Sequence, residues 1–316
     1  MAAFVFLFID GVGIGNADDS NPFFQLAEKL GSDFLMPFFK EKVRQSPGPV
    51  QVAAIDCRLG MPGLPQSASG QTALFCGVGA EQIGPEPKNG YPGQALRRII
   101  KKNNLLRELH GQGRRAQYVN AYPHHAKLFS SPQVRIDDDG RLHFGPSFPA
   151  PFKRMISVTS CMMIANGEKP LGEDALARGE ALYQDYSNQA LIDRGLQLPR
   201  VSPAQAGAIL FRLARRYDFI LYEYFQTDLF AHRHSPADCL ELIENLNRLL
   251  GSLLSRLNER HDTLLLTSDH GNLEDLSHRG HTLNPVPLLV WGKHASFLRQ
   301  RIVSIADVTP SIVQVL

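Results

Sequence analysis

Two short, continuous apolar runs in this chain each lead to an acidic residue. Val5 to Ile9 runs into Asp10, and Thr263 to Thr267 runs into Ser268-Asp269-His270. An unbroken apolar run of this length suits a strand buried on both faces, the strand type of a largely parallel sheet covered by helices. Open sheets of that kind place ligands beyond the carboxyl ends of their strands. The fold class is therefore α/β, and the polar residues at those two strand ends are the first candidates for a site. Gly11, Gly13 and Gly15 follow Asp10 and permit a tight turn there.

The remaining rhythm agrees with α/β alternation. Further strands are expected at Val52 to Asp56, Ala116 to Ala121, Phe219 to Phe225 and Val286 to Trp291. PQSASGQTALFCGVG, from Pro65 to Gly79, reads as a turn entering a helix. Gln94 to His110 carries a periodic apolar pattern in two helical pieces. Ser202-Pro203 opens a helix that runs to about Arg216, with proline where its missing N–H costs little. Pro236 to Glu259 is a long amphipathic helix, and Asp307 is placed to cap a closing helix that ends at Leu316. Residues 126–200 break the pattern. RIDDDGRLHFG suits a hairpin or exposed turn, Ile156 to Ile164 a strand, and Glu173 to Asn188 a helix. This region reads as a small cap inserted into a core made of 1–125 and 201–316.

Composition narrows the function classes. The 33 basic and 31 acidic residues leave a formal net charge of only +2, which argues against a broad nucleic-acid-binding surface. Cys57, Cys76, Cys161 and Cys239 form no CxxC pair and read as reduced, buried thiols, which points to the cytoplasm. MAAFVFLFID reaches an acidic residue too soon for a signal peptide or a membrane span, so no membrane partner is expected. None of these features sets the oligomeric state.

Three clusters have the residue types for metal chemistry. The first is Asp10, the second Asp228 with His232, and the third Asp269-His270 with His281 downstream. Asp228 and His232 are spaced to share one face of a helix. Carboxylate and imidazole together suit zinc, manganese or iron better than calcium. Three carboxylates and three imidazoles suffice for two ions, an arrangement that can clamp the attacking and leaving oxygens of phosphoryl transfer. Ser67, Ser69 and Thr72 are the candidate nucleophiles, because a hydroxyl at a helix start lies among free N–H groups that also attract phosphate. Helix capping is the plainer role for all three. His124-His125 reads as a loop pair or a substrate-facing one. GVGIG lacks the G-x-G-x-x-G spacing of a dinucleotide loop, and no Walker A or G-x-S-x-G sequence occurs.

Taken together, FIDGVGIG, the TD-x-x-x-H of Thr227 to His232, TSDHGNLED and GHTLNPVPLLVWG resemble the alkaline phosphatase superfamily. The branch most similar is that of the cofactor-independent phosphoglycerate mutases and phosphopentomutases. The resemblance implies a three-layer sandwich with a central, mostly parallel sheet and a small inserted cap. It implies two divalent metals, manganese or zinc, one held by Asp10, Asp269 and His270 and the other by Asp228, His232 and His281. It implies Ser67 as the nucleophile. Gly70-Gln71 stands where the mutases have Gly-His, and the insertion here is far smaller than the arginine-rich domain of the phosphoglycerate mutases.

The expected activity is hydrolysis of a small phosphomonoester through a phosphoserine. Arg58, Lys88 and Arg97 are candidate phosphate contacts. The alternatives are a phosphomutase and a non-catalytic binding protein on the same scaffold.

Overall fold

The computed structural model describes residues 2–43, 50–129, 134–146, 148–233 and 235–316. Its centre is a six-stranded sheet formed by β1 (Phe4–Ile9), β2 (Val50–Ile55), β3 (Ala116–Tyr118), β6 (Phe219–Tyr224), β7 (Thr263–Thr267) and β8 (Val286–Gly292). The strand order is β2-β8-β7-β1-β6-β3. β1 pairs in parallel with both β6 and β7, whereas β8 runs antiparallel to β7 and β2. A separate hairpin joins β4 (Arg135–Ile136) to β5 (Leu142–His143), within the expected RIDDDGRLHFG segment.

Side-chain alternation along β1 divides the interior into two layers. Phe4, Phe6 and Phe8 enter one apolar cluster with the helices Ser67–Cys76, Gln94–Lys102, Val158–Asn166 and Val308–Val315. Val5, Leu7 and Ile9 enter the other, with Pro22–Leu30, Pro203–Ala214 and Pro236–Leu254. This is the helix–sheet–helix sandwich that buried central strands require. Phe8 and Phe75 meet edge to face, centroids 5.2 Å apart at 77°, and both are fully buried. Truncating either ring to alanine would cost about 3–5 kcal/mol. The same first layer holds Ile136, Phe148, Cys161 and Met162, so much of the 126–200 segment is packed into the main core.

The structure corrects several local expectations. Ile156 to Ile164 is not a strand; Val158–Asn166 is a helix. Ser157 caps it by accepting from the Ser160 N–H, and Gly167 closes it in the left-handed region. Nearly every residue between is buried, and an apolar run buried all round carries no periodicity that separates strand from helix. The helix expected to reach Asn188 stops at Ala177, two residues before Gly179 at φ 63°. The chain then reaches Leu182, which bridges to Asn120 beside the sheet, and turns again at once. The long helix ends at Leu254, short of Glu259. At the closing helix the Asp307 carboxylate accepts from the Val303 and Ser304 amides, capping reciprocally with Ser304 a turn earlier than expected.

All four cysteines are free and buried. Burial raises the Cys161 thiol to about 12 and the Cys239 thiol to about 11. Among the described residues no helix is long and apolar enough to cross a membrane.

Candidate functional site

β1, β6 and β7 lie side by side and end at the same edge, so the chain segments that leave them converge. Asp10 follows β1 directly, and its N–H donates to the Tyr224 carbonyl of β6 at 3.0 Å. The Thr227 hydroxyl donates to the Asp10 carbonyl and pins the start of the Gln226–Arg233 helix against β1. That helix carries Asp228 and His232 one turn apart, Nε2 3.5 Å from Oδ2. Gly11 makes the approach possible. It sits at φ 66°, and a Cβ there would lie 2.6 Å from both Cβ and Oδ1 of Asp228.

Two triads result. Asp10, Asp269 and His270 offer ligand atoms within 4.8 Å of one another, and so do Asp228, His232 and His281. The first is completely buried, whereas the second is part-buried, with His281 its innermost member. The triads adjoin: the rings of His270 and His281 stack with centroids 3.7 Å apart and planes 18° from parallel. The His281 Nδ1 lies 2.8 Å from the Pro65 carbonyl, which can only accept. The proton is therefore on Nδ1, and the Nε2 lone pair faces Asp228. Burial, and then neighbouring His270, hold the His281 pKa below the usual imidazole value. A neutral imidazole oriented through its other nitrogen is the form that ligates a metal.

The electrostatics call for cations. Burial pushes the Asp10 carboxyl well above the usual range, and Asp269 and Asp228 push the same way. Asp10 Oδ1 is buried with no hydrogen bond. Among the described residues no lysine or arginine pairs with Asp10, Asp228 or Asp269; their only ion-pair partners are histidines. A buried cluster of acids without a basic partner is costly unless cations neutralise it. The donors, three carboxylates and three imidazoles, fit two divalent transition ions.

Of the three candidate hydroxyls, only that of Ser67 faces these triads. Ser67 opens the Ser67–Cys76 helix, with Oγ 3.0 Å from His270 Nε2. The Ser69 hydroxyl donates to the Gln66 carbonyl and accepts from the Lys88 N–H, and Thr72 donates to the Ala68 carbonyl. Both are occupied in holding the helix and the adjoining loop.

The three basic residues named as phosphate contacts do not converge. Arg97 donates to the carbonyls of Pro92 and Gly140 at 2.7 and 2.9 Å, Lys88 pairs with Glu86 at 3.5 Å, and Arg58 is exposed. His278 pairs with Asp275 at the surface. His124 lies on the helix Pro123–Phe129, not in a loop, and lines an aromatic cavity; the side chain of His125 is outside the described residues.

Three polar residues have partners that their motifs did not assign. Glu274, fully buried, accepts from the amides of Gly13 and Asn272, the Thr282 hydroxyl and the Asn284 side chain. It ties together the loops that carry Asp10, His270 and His281. Asn272 donates to Asp228 Oδ1 at 2.7 Å and lies 3.1 Å from His232 Nε2. Gln71 donates to both Asp10 and Asp269 at 3.2 Å. All three lie inside motifs already quoted, but their partners are forty or more positions away or across a loop, where no spacing rule reaches.

Residues 201–316 match the model of the Metalloenzyme superfamily. The chain is similar to the 2,3-bisphosphoglycerate-independent phosphoglycerate mutase of Desulforudis audaxviator, 28% identical over 124 residues, which is 37% of this chain and 24% of that protein. It is similar to the same-named protein of Pseudomonas fluorescens, 32% identical over 109 residues, 32% of this chain and 21% of that protein. The match thus spans a quarter or less of those relatives. Among solved structures, the alkaline phosphatase of the Antarctic bacterium TAB5 superposes with a TM-score of 0.55 at 12% identity, covering 100% of this chain and 98% of that one. A cold-active alkaline phosphatase from a Shewanella species gives 0.54 at 11% identity, covering 100% of both chains.

Proposed function

We propose that this chain, whose residues 201–316 match the Metalloenzyme superfamily and whose fold is similar to that of an alkaline phosphatase, hydrolyses a small phosphomonoester through a phosphoserine at Ser67. Asp10, Asp269 and His270 would hold one divalent ion, manganese or zinc, and Asp228, His232 and His281 the other. The observation that carries the reading is the convergence of one serine hydroxyl on two adjoining Asp/His triads, Ser67 Oγ standing 3.0 Å from His270 Nε2.

Bound ions would neutralise the acid cluster, favour the ionised serine and take up charge that develops on the phosphoryl oxygens. Ser67 Oγ attacks phosphorus as the ester P–O bond breaks, and the alcohol leaves after gaining a proton. Water then attacks the phosphoserine, the P–Oγ bond breaks, and phosphate is released as the serine regains its proton. The first turn of the ten-residue helix presents N–H groups and its positive dipole end to the phosphoryl group. Glu274 and Asn272 hold the ligand loops, and the Pro65 carbonyl fixes the His281 tautomer. The free, buried thiols suit the cytoplasm.

Hydrolysis is favoured over phosphomutase chemistry by where the cations are spent. A mutase must retain its dephosphorylated substrate through the phosphoenzyme stage and exclude water. Arg97 is bound to backbone carbonyls, Arg178 pairs with Glu180, Arg141 approaches Asp139, and Lys153 lies over the Phe144 ring. None of these four is free to grip a second anionic group at Ser67; Arg194, which lines a cavity beside the Tyr183 phenol, is a cation of this region left to face a ligand. Similarity to the named mutases supports the mutase as the second reading. The test is a metal-supplemented screen of phosphomonoesters that follows free phosphate and isomerised product together. Free phosphate that depends on Ser67 supports the hydrolase; isomer without free phosphate replaces it with the mutase. A protein that binds neither manganese nor zinc would leave only a binding role on this scaffold.

A further inference from the structure

A second polar feature lies beside the triads and takes no part in them. Glu223 is the penultimate residue of β6, with only 4% of its surface exposed, paired with Phe8 on β1 two residues before Asp10. Its side chain projects to the sheet face that carries Ser67 and the Val158–Asn166 helix, the face to which its alternating neighbours Phe219 and Leu221 belong. The Tyr118 and Thr159 hydroxyls both donate to Oε2. Among the described residues nothing donates to Oε1. With Oε2 held by the two hydroxyls, Oε1 is the carboxylate oxygen left to take a ligand donor.

Glu223 lines a cavity of about 350 Å³ walled by Tyr122, Tyr183, Phe152 and Phe225, with half-exposed Tyr91 at its mouth. Tyr122 and Tyr183 meet at 70° with centroids 6.0 Å apart, so they form two walls of a corner. The cavity lies at the carboxyl end of β6, where Phe225 lines it two residues before Thr227. Tyr91 follows Lys88, whose backbone exchanges hydrogen bonds with Ser69 at the start of the Ser67 helix. Arg194 lines the same cavity, and its charge is directed at the Tyr183 phenol.

We infer that this cavity receives the leaving group of the phosphomonoester, and that Glu223 Oε1 with the aromatic walls selects an alcohol that has an apolar or aromatic body and a cationic nitrogen. This rests on the phosphatase reading for the word leaving group, but not for the binding. Aromatic faces attract a cation that a buried carboxylate then pairs with directly. A neutral sugar would meet mostly rings and would leave the carboxylate charge unmatched.

The test uses the full chain and matched probes. Tyramine and 4-ethylphenol share a ring and differ in the ammonium group, and their phosphate esters make the corresponding substrate pair. Calorimetry should show tyramine binding at least ~10-fold more tightly than 4-ethylphenol. Glu223→Gln should abolish that ratio, since glutamine can keep its oxygen at the Tyr118 and Thr159 hydroxyls and present an NH2 group to the cavity. Tyr91→Ala, at a half-exposed position that cannot disturb the core, should weaken tyramine several-fold. In turnover, the kcat/KM ratio of tyramine phosphate to 4-ethylphenyl phosphate should follow the same pattern. Equal binding of the two phenols, a ratio indifferent to Glu223, or tighter binding of glucose than of tyramine overturns the inference. Because binding needs no turnover, the two readings fail separately. Glu223-dependent tyramine binding without phosphate release sinks the phosphatase and leaves the pocket. Ser67-dependent release with indifferent binding does the reverse.

Discussion

His270 and His281 stack face to face, 3.7 Å between centroids, although each belongs to a different Asp/His triad. The two triads therefore share a wall. The stack also puts the serine that bonds His270 within the combined site.

Removing the Ser67 hydroxyl should separate chemistry from binding. Ser67→Ala is expected to lower phosphate release by at least about a thousand-fold. Bound metal and melting temperature should stay the same, since the helix gains no side-chain cap from this residue. Metal analysis beside the activity assay checks both halves. Activity that survives the substitution would move the nucleophile elsewhere.

Metal content should fall one triad at a time. Asp269→Asn and Asp228→Asn are each expected to reduce two bound ions per chain to one, measured by elemental analysis after dialysis. In the wild type, chelation should lower the melting temperature. One ion present at 100 times its Kd contributes about 2.7 kcal/mol of stability. Gln71→Leu removes the donor shared by Asp10 and Asp269. It should cost the metal-free protein ~1–3 kcal/mol and the manganese-loaded protein less, because cations then occupy the same carboxylates.

Glu274 is expected to matter more for stability than for any chemical step. Its four donors belong to three loops, and Glu274→Ala leaves several of them buried without a partner. The loss should be at least ~3 kcal/mol by urea denaturation, with metal affinity falling alongside. Gly13→Ala should do comparable damage by another route, since its Cβ would overlap the Glu274 carboxylate. A near-neutral Glu274→Ala would mean that the loops hold their places without it.

Stability should also report on Glu223 through pH. Burial raises its folded-state pKa, against the opposing hydrogen bonds from Tyr118 and Thr159. A raised pKa means that the folded chain binds the proton more tightly than the unfolded one. The stability from this residue is therefore complete below the unfolded glutamate value, about 4.3, and is lost as pH rises through the folded value. Glu223→Gln carries no such dependence. The variant should gain on the wild type as pH rises above about 4.3, and the two should converge below it. Melting curves from pH 4 to 8 test this; a constant offset would show that the carboxyl titrates normally.

Much of this architecture is legible along the chain. Central strands such as Val5 to Ile9 and Thr263 to Thr267 are buried on both faces, so their apolar runs are unbroken. Each delivers its acid or histidine at the strand end, and a strand has only one carboxyl end. Asp228 and His232 are likewise readable, because a helix brings residues four apart together. The Val158–Asn166 helix was not readable as a helix, since burial on all sides removes the polar face that gives a helix its period.

The sequence by itself thus determined the α/β class, the strand ends and the inventory of ligands, because these depend on local patterning. Tertiary structure decided which of Ser67, Ser69 and Thr72 faces the acids, since all three share one short helix and only their distant partners distinguish them. It also decided that Arg97 is committed to backbone carbonyls, that Glu274 braces three loops, and that Glu223 keeps one carboxylate oxygen open to an aromatic cavity. Those outcomes depend on contacts between residues tens to hundreds of positions apart, and their geometry exists only once the sheet has brought its strand ends to one edge.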